Sequence, residues 1–293
     1  MKRLVLTRLA ALFLFTTTAA LLSAQTTPRA ARVFIVSFDG GKPSVIADST
    51  MPVLKAMVAE GACTWEAKTV VPSITLLAHA SMISGVGPAK HKITWNDWMP
   101  EKGLIPVPTI FSLVHPHGFT TAMFAGKPKF KHLNLPGSLD EFVLPLPKAD
   151  AKAVAAAFAA RLPLSNPDLC LIHFADPDTA GHKYGWGSPE QKIAFAESDA
   201  ALKVVMDALK AAGIADSSVV ILTADHGGHD KTHGSDSPED VNIPWIVWGK
   251  GVKKGAVLTG PVSTCDTAAT ALWLLGQPIP AEFDGKPVVA AFE

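Results

Sequence analysis

Three short, largely apolar runs in this chain break at an aspartate. Val33–Phe38 ends in Asp39-Gly40-Gly41, Leu169–Phe174 enters Ala175-Asp176-Pro177-Asp178, and Ser218–Thr223 enters Ala224-Asp225-His226-Gly227. A fourth run, Ile243–Trp248, has the same character. Short apolar, β-branched runs bounded by turn residues are the pattern of strands covered on both faces. Helical stretches separate them: Met51–Glu60 before Gly61, Leu76–Ile83 before Gly85, Thr109–Val114 ahead of a strand at Phe119–Phe124, and Ala151–Leu162. The clearest helix is Gln191–Ala212, where Leu202, Val205, Met206 and Leu209 share one face and Gly213 marks the stop. Cys63–Val71 alternates loosely as a strand, and Thr267–Leu275 reads as a last helix. Strands separated by helices pair in parallel through right-handed crossovers. The expected fold is α/β, a mostly parallel central sheet with helices on both faces. Ligands are expected beyond the C-terminal strand ends, where the aspartates lie.

Met1–Ala24 stands apart. Lys2, Arg3 and Arg8 precede the apolar Leu9–Phe15 and the small-residue-rich Ala19–Ala24. That order describes a secretory signal peptide cut after Ala24, leaving 25–293 as one periplasmic or secreted domain. Arg8 and Thr16–Thr18 interrupt any span of about 20 apolar residues, so a stable membrane anchor is not expected. The 26 basic and 26 acidic side chains balance; loss of the leader leaves 23 bases and a charge near −3. This excludes a disordered polyelectrolyte and electrostatic binding of duplex nucleic acid. Three widely spaced cysteines, Cys63, Cys170 and Cys265, make neither a disulfide framework nor a zinc ribbon. A metal must then be held by histidine and carboxylate.

Those ligands sit at the strand ends: Asp39, then Asp178 with His182 four residues on, then Asp225 with His226. The segment His229-Asp230-Lys231-Thr232-His233-Gly234 adds two imidazoles, either of which reaches as a third histidine. Three carboxylates and three imidazoles suffice for two three-ligand sites with open positions, suited to Zn²⁺ and less specifically to Mn²⁺. Taken singly, Asp39 also reads as a helix cap and the histidine loop as a solvated surface. A nucleophile is sought in Pro72-Ser73-Ile74-Thr75, which leads into the Leu76–Ile83 helix. Ser73 and Thr75 both qualify, and either also qualifies as a helix cap.

The chain resembles the alkaline phosphatase superfamily and, within it, the type I phosphodiesterase/nucleotide pyrophosphatase family. The resemblance is carried by Phe38-Asp39-Gly40, Thr75 through Gly85, Pro88 through Asn96, Pro177 through His182, Thr223 through Gly228, and Val262–Gly285. It implies an alkaline-phosphatase-like fold and two zinc ions. One ion is implied on Asp39, Asp225, His226 and the Thr75 oxygen, the other on Asp178, His182 and His233. His229 is the reserve third imidazole. It implies Thr75 as the nucleophile, a phosphothreonine intermediate, and Asn96 on a phosphoryl oxygen. Ala78 stands where the family usually has Asn, and Leu77 where it often has Pro.

The substrate is expected to be a small phosphorylated molecule, as a diester or pyrophosphate. After the leader only Arg29, Arg32 and Arg161 remain, none in a site segment, which argues against an arginine clamp on a monoester. Lys127-Pro128-Lys129 resembles the paired lysines of phosphonoacetate hydrolases, so a monoesterase or phosphonate hydrolase is the alternative enzyme. Trp95 stands beside Asn96, placed to stack on a leaving group or to pack in the core. The C/S-x-P-x-R motif of sulfatases is absent. A periplasmic metal-binding protein is the non-enzymatic alternative.

Overall fold

The structure, a computed structural model, describes residues 28–293; the proposed leader lies outside the described residues. Its strands are β1 (Arg32–Phe38), β2 (Ala62–Lys68), β3 (Thr121–Phe124), β4 (Glu141–Val143), β5 (Leu169–Phe174), β6 (Ser218–Ala224), β7 (Asn242–Gly249) and β8 (Ala256–Val257). They form one sheet in the order β4-β3-β5-β1-β6-β7-β2-β8. The three aspartate-ended strands lie side by side and parallel, in register from Val33↔Leu169 and Val33↔Val219 onward. Phe38 is level with Phe174 and Ala224, so the chain leaves all three strands at one layer. This register puts Asp39, the Ala175 turn and Asp225 on a single sheet edge.

The helices are α1 (Pro43–Ala47), α2 (Pro52–Glu60), α3 (Thr75–Ser84), α4 (Pro88–His91), α5 (Ile110–Val114), α6 (Ala151–Ser165), α7 (Asp176–Tyr184), α8 (Pro189–Ala211), α9 (Pro238–Val241) and α10 (Asp266–Leu274). Strand side chains alternate between two cores. Val33, Ile35, Leu171 and Ile221 join Leu76 and Ile83 of α3 and Leu272 of α10. Phe34, Val36, Ile172 and Leu222 join Phe158 of α6 and Leu202 and Val205 of α8. Both faces are therefore helix-covered, which is why the central strands carry apolar residues without alternation.

β7 departs from the parallel set, running antiparallel to β6 and β2. The connection from β6 holds only the four-residue α9 and no crossover helix, so the chain re-enters from the edge it left. The sheet ends on very short strands, β4 and β8, which limits open edge. α6 continues through Pro163 to Ser165, past the expected end at Leu162, and forgoes the bond a proline cannot donate. Among the described residues no helix is long and apolar enough to cross a membrane.

Candidate metal centre and nucleophile

The sheet edge gathers three buried carboxylates with an electrostatic conflict. Asp39 Oδ1, Asp178 Oδ1 and Asp225 Oδ2 are buried and accept no hydrogen bond. Asp225 Oδ1 is satisfied by the backbone N–H groups of Gly40 and His226, at 3.1 and 3.0 Å. Gly40 turns the chain there at φ 72°, a conformation glycine adopts freely. Burial and the neighbouring Asp39 push the Asp225 carboxyl well above the usual carboxylate range. Burial also opposes ionisation of Asp39, but Lys127 and His173 outweigh it and hold that carboxyl well below the usual range. Asp178 falls to about 2, with burial and Asp39 opposing ionisation and Lys127 favouring it.

The histidines sharpen the conflict. His226 Nδ1 donates to the Gly227 carbonyl at 2.8 Å, His233 Nδ1 to Ser73 at 2.7 Å, and His182 Nδ1 to Lys231 at 3.0 Å. A carbonyl only accepts, so each neutral ring keeps its proton on Nδ1 and presents the Nε2 lone pair. Those lone pairs face carboxylate oxygens. His226 Nε2 lies 3.3 Å from Asp225 Oδ2, 3.5 Å from Asp39 Oδ1 and 4.0 Å from Asp178 Oδ1. His182 and His233 bring Nε2 to 3.3 and 3.6 Å from Asp178 Oδ1. The His226 and His233 rings stack at 3.6 Å, and burial followed by His233 lowers the His226 pKa to about 4. Two groups have donor atoms mutually within 4.8 Å: Asp178, His182 and His233, and Asp39, Asp178 and His226. Acceptors converging on acceptors are the donor set of a cation. Asp178 is within reach of both groups, and Asp225 adjoins the second. His229 lies apart, its Nδ1 on Asp240 Oδ1 at 2.7 Å.

Thr75 opens α3, buried, with Oγ1 3.3 Å from His226 Nε2. Ser73 is turned away and donates to the Ser235 carbonyl at 2.7 Å. Neither caps the helix: the N-cap is Ile74, without a side-chain cap bond. Asn96 Oδ1 instead accepts the free Leu76 N–H at 3.0 Å, which ties Asn96 to the Thr75 end of α3.

Lys127, directly after the β3 loop, reaches Asp39 Oδ2 and Asp178 Oδ2 at 2.6 and 2.5 Å. Lys129 is half-buried nearby; burial and then Lys127 lower its pKa. Trp95 packs on the larger core cluster with its ring 5.4 Å from that of His132, and its Nε1 has no partner. Arg29 lies over Trp273 and Arg161 pairs with Glu141, both away from these groups.

Sequence reasoning passed over two buried histidines. His173 of β5 donates from Nε2 to Asp39 Oδ2 at 2.8 Å. His79 of α3 donates from Nδ1 to the Thr75 carbonyl at 2.8 Å, and its Nε2 accepts from Ser37 at the same distance. A histidine inside an otherwise apolar strand was the available signal for the first.

The family profile described as Type I phosphodiesterase / nucleotide pyrophosphatase matches residues 33–241. Bis(5'-adenosyl)-triphosphatase ENPP4 of Bos taurus is 25% identical over 221 residues, covering 67% of this chain and 47% of that protein. The chain thus spans about half or less of the length of the curated relatives it matches. A murine ectonucleotide pyrophosphatase/phosphodiesterase 5, inactive and in complex with AMP, superposes with a TM-score of 0.76 at 14% identity, covering 89% of this chain and 100% of that one. A phosphonate monoester hydrolase of Silicibacter pomeroyi superposes at 0.66 and 17% identity, over 88% of this chain and 76% of that one. At such identities the superpositions establish a shared fold.

Proposed function

This chain belongs to the type I phosphodiesterase/nucleotide pyrophosphatase family, and from that premise we propose that it is an exported, zinc-dependent hydrolase of phosphodiester or pyrophosphate bonds. The observation that carries the reading is the set of unpartnered buried oxygens of Asp39, Asp178 and Asp225, faced by lone pairs of His182, His226 and His233. Asp39, Asp225 and His226 would hold one zinc ion with the Thr75 oxygen, and Asp178, His182 and His233 the other. When bound, the two ions supply the positive charge that favours an ionised threonine and a developing negative charge on phosphorus oxygens.

The chain's own part is positioning. Thr75 sits at the first turn of a helix, where free N–H groups and the helix dipole favour phosphoryl oxygens. Its Oγ1 attacks phosphorus and gives its proton to solvent. The bond to the leaving oxygen breaks, and a phosphothreonine forms. Water then cleaves the bond between phosphorus and Oγ1 and releases phosphate or a phosphate ester. Asn96 spends its carbonyl oxygen on Leu76, which leaves its amide NH₂ for a phosphoryl oxygen.

A second reading has specific support. The Lys127 ammonium bridges Asp39 and Asp178, and Lys129 lies nearby. Two cations there suit a small, highly charged monoester or phosphonate. A metal-binding protein without turnover has no use for a buried threonine hydroxyl beside His226.

The test is zinc analysis with an assay panel on purified protein: bis-aryl phosphate, aryl phosphate, phosphonoacetate and a nucleotide pyrophosphate. Two zinc ions per chain and turnover of the diester or pyrophosphate are expected. Thr75→Ala should keep zinc and lose turnover; unchanged turnover removes Thr75 from its role. Full zinc with no turnover on any substrate leaves the binding protein. Export is tested by the N-terminal sequence of protein recovered from the periplasm or medium, expected at Gln25.

A further inference from the structure

His173 joins three strand ends through one ring. Its imidazole is fully buried in β5. Nδ1 accepts the Gly126 N–H at 3.1 Å, so the ring proton of the neutral form must sit on Nε2. Nε2 donates to Asp39 Oδ2 at 2.8 Å. A Cβ on Gly126 would stand 3.1 Å from His173 Nδ1 and 3.0 Å from the Ala175 Cβ, so glycine permits this approach. The residue after Gly126 is Lys127, whose ammonium reaches the same Asp39 Oδ2 at 2.6 Å. The ring is wedged by Phe130 and His79, with centroids at 4.3 and 5.0 Å.

We infer that His173 is a positioning residue with two separable duties. Through Nε2 it turns Asp39 so that the other oxygen, Oδ1, faces His226. Through Nδ1 it fixes the Gly126-Lys127 turn and so aims the ammonium into the site. The inference rests on the reading of Asp39 as a zinc ligand, since an outer hydrogen bond of this kind orients a ligand and tunes its affinity.

Two variants divide the duties. The amide nitrogen of His173→Gln takes the place of Nε2 and keeps the bond to Asp39. The amide oxygen of His173→Asn takes the place of Nδ1 and keeps the bond to Gly126. Zinc affinity is read by chelator competition, with KM and kcat for bis-aryl phosphate and a thermal melt of each variant. His173→Asn is expected to weaken zinc binding about 10–100-fold. His173→Gln is expected to hold zinc near the wild-type affinity and to raise KM through a misplaced Lys127. Equal losses of zinc affinity in the two variants would overturn the assignment, since they would mark lost packing alone. So would wild-type zinc affinity in a folded His173→Asn. A wild-type protein that binds no zinc would overturn the metal reading itself, and this inference with it.

Discussion

At the residue scale, neighbouring histidines divide sharply. His233 puts its Nε2 beside Asp178, whereas His229 is bound to Asp240. His233→Ala is therefore expected to cut zinc affinity by at least about tenfold in chelator competition. His229→Ala should leave zinc affinity unchanged, since that imidazole is bound to Asp240 and stands apart from the carboxylate group. Spacing alone left this choice open, because both histidines lie in one loop. The aspartates were legible because each lies just past the end of an apolar, strand-like run. His173 and His79 were not, because a histidine within a strand or helix reads as packing until its partners are known. His91 offers a test in pH. It is buried, its Nδ1 takes the Ile93 N–H, and burial lowers its pKa from about 6.5 to about 4. The unfolded chain thus binds a proton in a window where the folded one does not. That stability is whole above pH 6.5 and is lost as pH falls toward 4. His91→Gln should flatten this part of the curve of unfolding free energy against pH.

At the element scale, what was legible followed length and periodicity. α8, with its long apolar stripe, begins within a few residues of its expected start, at Pro189. The edge strands β4 and β8, of three and two residues, were not legible because so short a run has no period. The direction of β7 was hidden too, since it depends on where the connection lies and not on the strand's own residues. Packing between elements yields a direct prediction. Phe158 of α6 meets Phe34 and Phe124 edge-on, with centroids at 5.9 and 5.5 Å. Phe158→Ala should cost about 3–5 kcal/mol in denaturant unfolding. The site loop is equally constrained. A Cβ on Gly228 would fall 2.2 Å from the Trp186 ring, which leans on His182 and His233. Gly228→Ala must displace that indole, and zinc affinity should fall about tenfold as the two imidazoles lose their support.

At the scale of the whole molecule, the site is a join between segments far apart in sequence. Asp39 follows β1, Thr75 starts α3, Asp178 and His182 lie on α7, and Asp225, His226 and His233 follow β6. Like charges and lone pairs meet there, so the fold carries a local repulsion that Lys127 offsets for Asp39 and Asp178 but does not overcome for Asp225. A ligand that binds the folded chain alone stabilises it by mass action, by about 4 kcal/mol for each site when free ligand is a thousand times its dissociation constant. For a chain of this size, each kcal/mol moves the melting temperature by about 2–4 °C. Removing zinc with a strong chelator should therefore lower the melting temperature by about 10 °C or more, and returning zinc should restore it. Thr75→Ala, which keeps all six proposed Asp and His ligands, should show nearly the same chelator-induced drop. Asp225→Asn should show a smaller drop and a higher melting temperature than wild type when both lack zinc, because it removes an uncompensated buried acid. A wild-type melt that ignores the chelator would mean that these carboxylates are reconciled by something other than a metal.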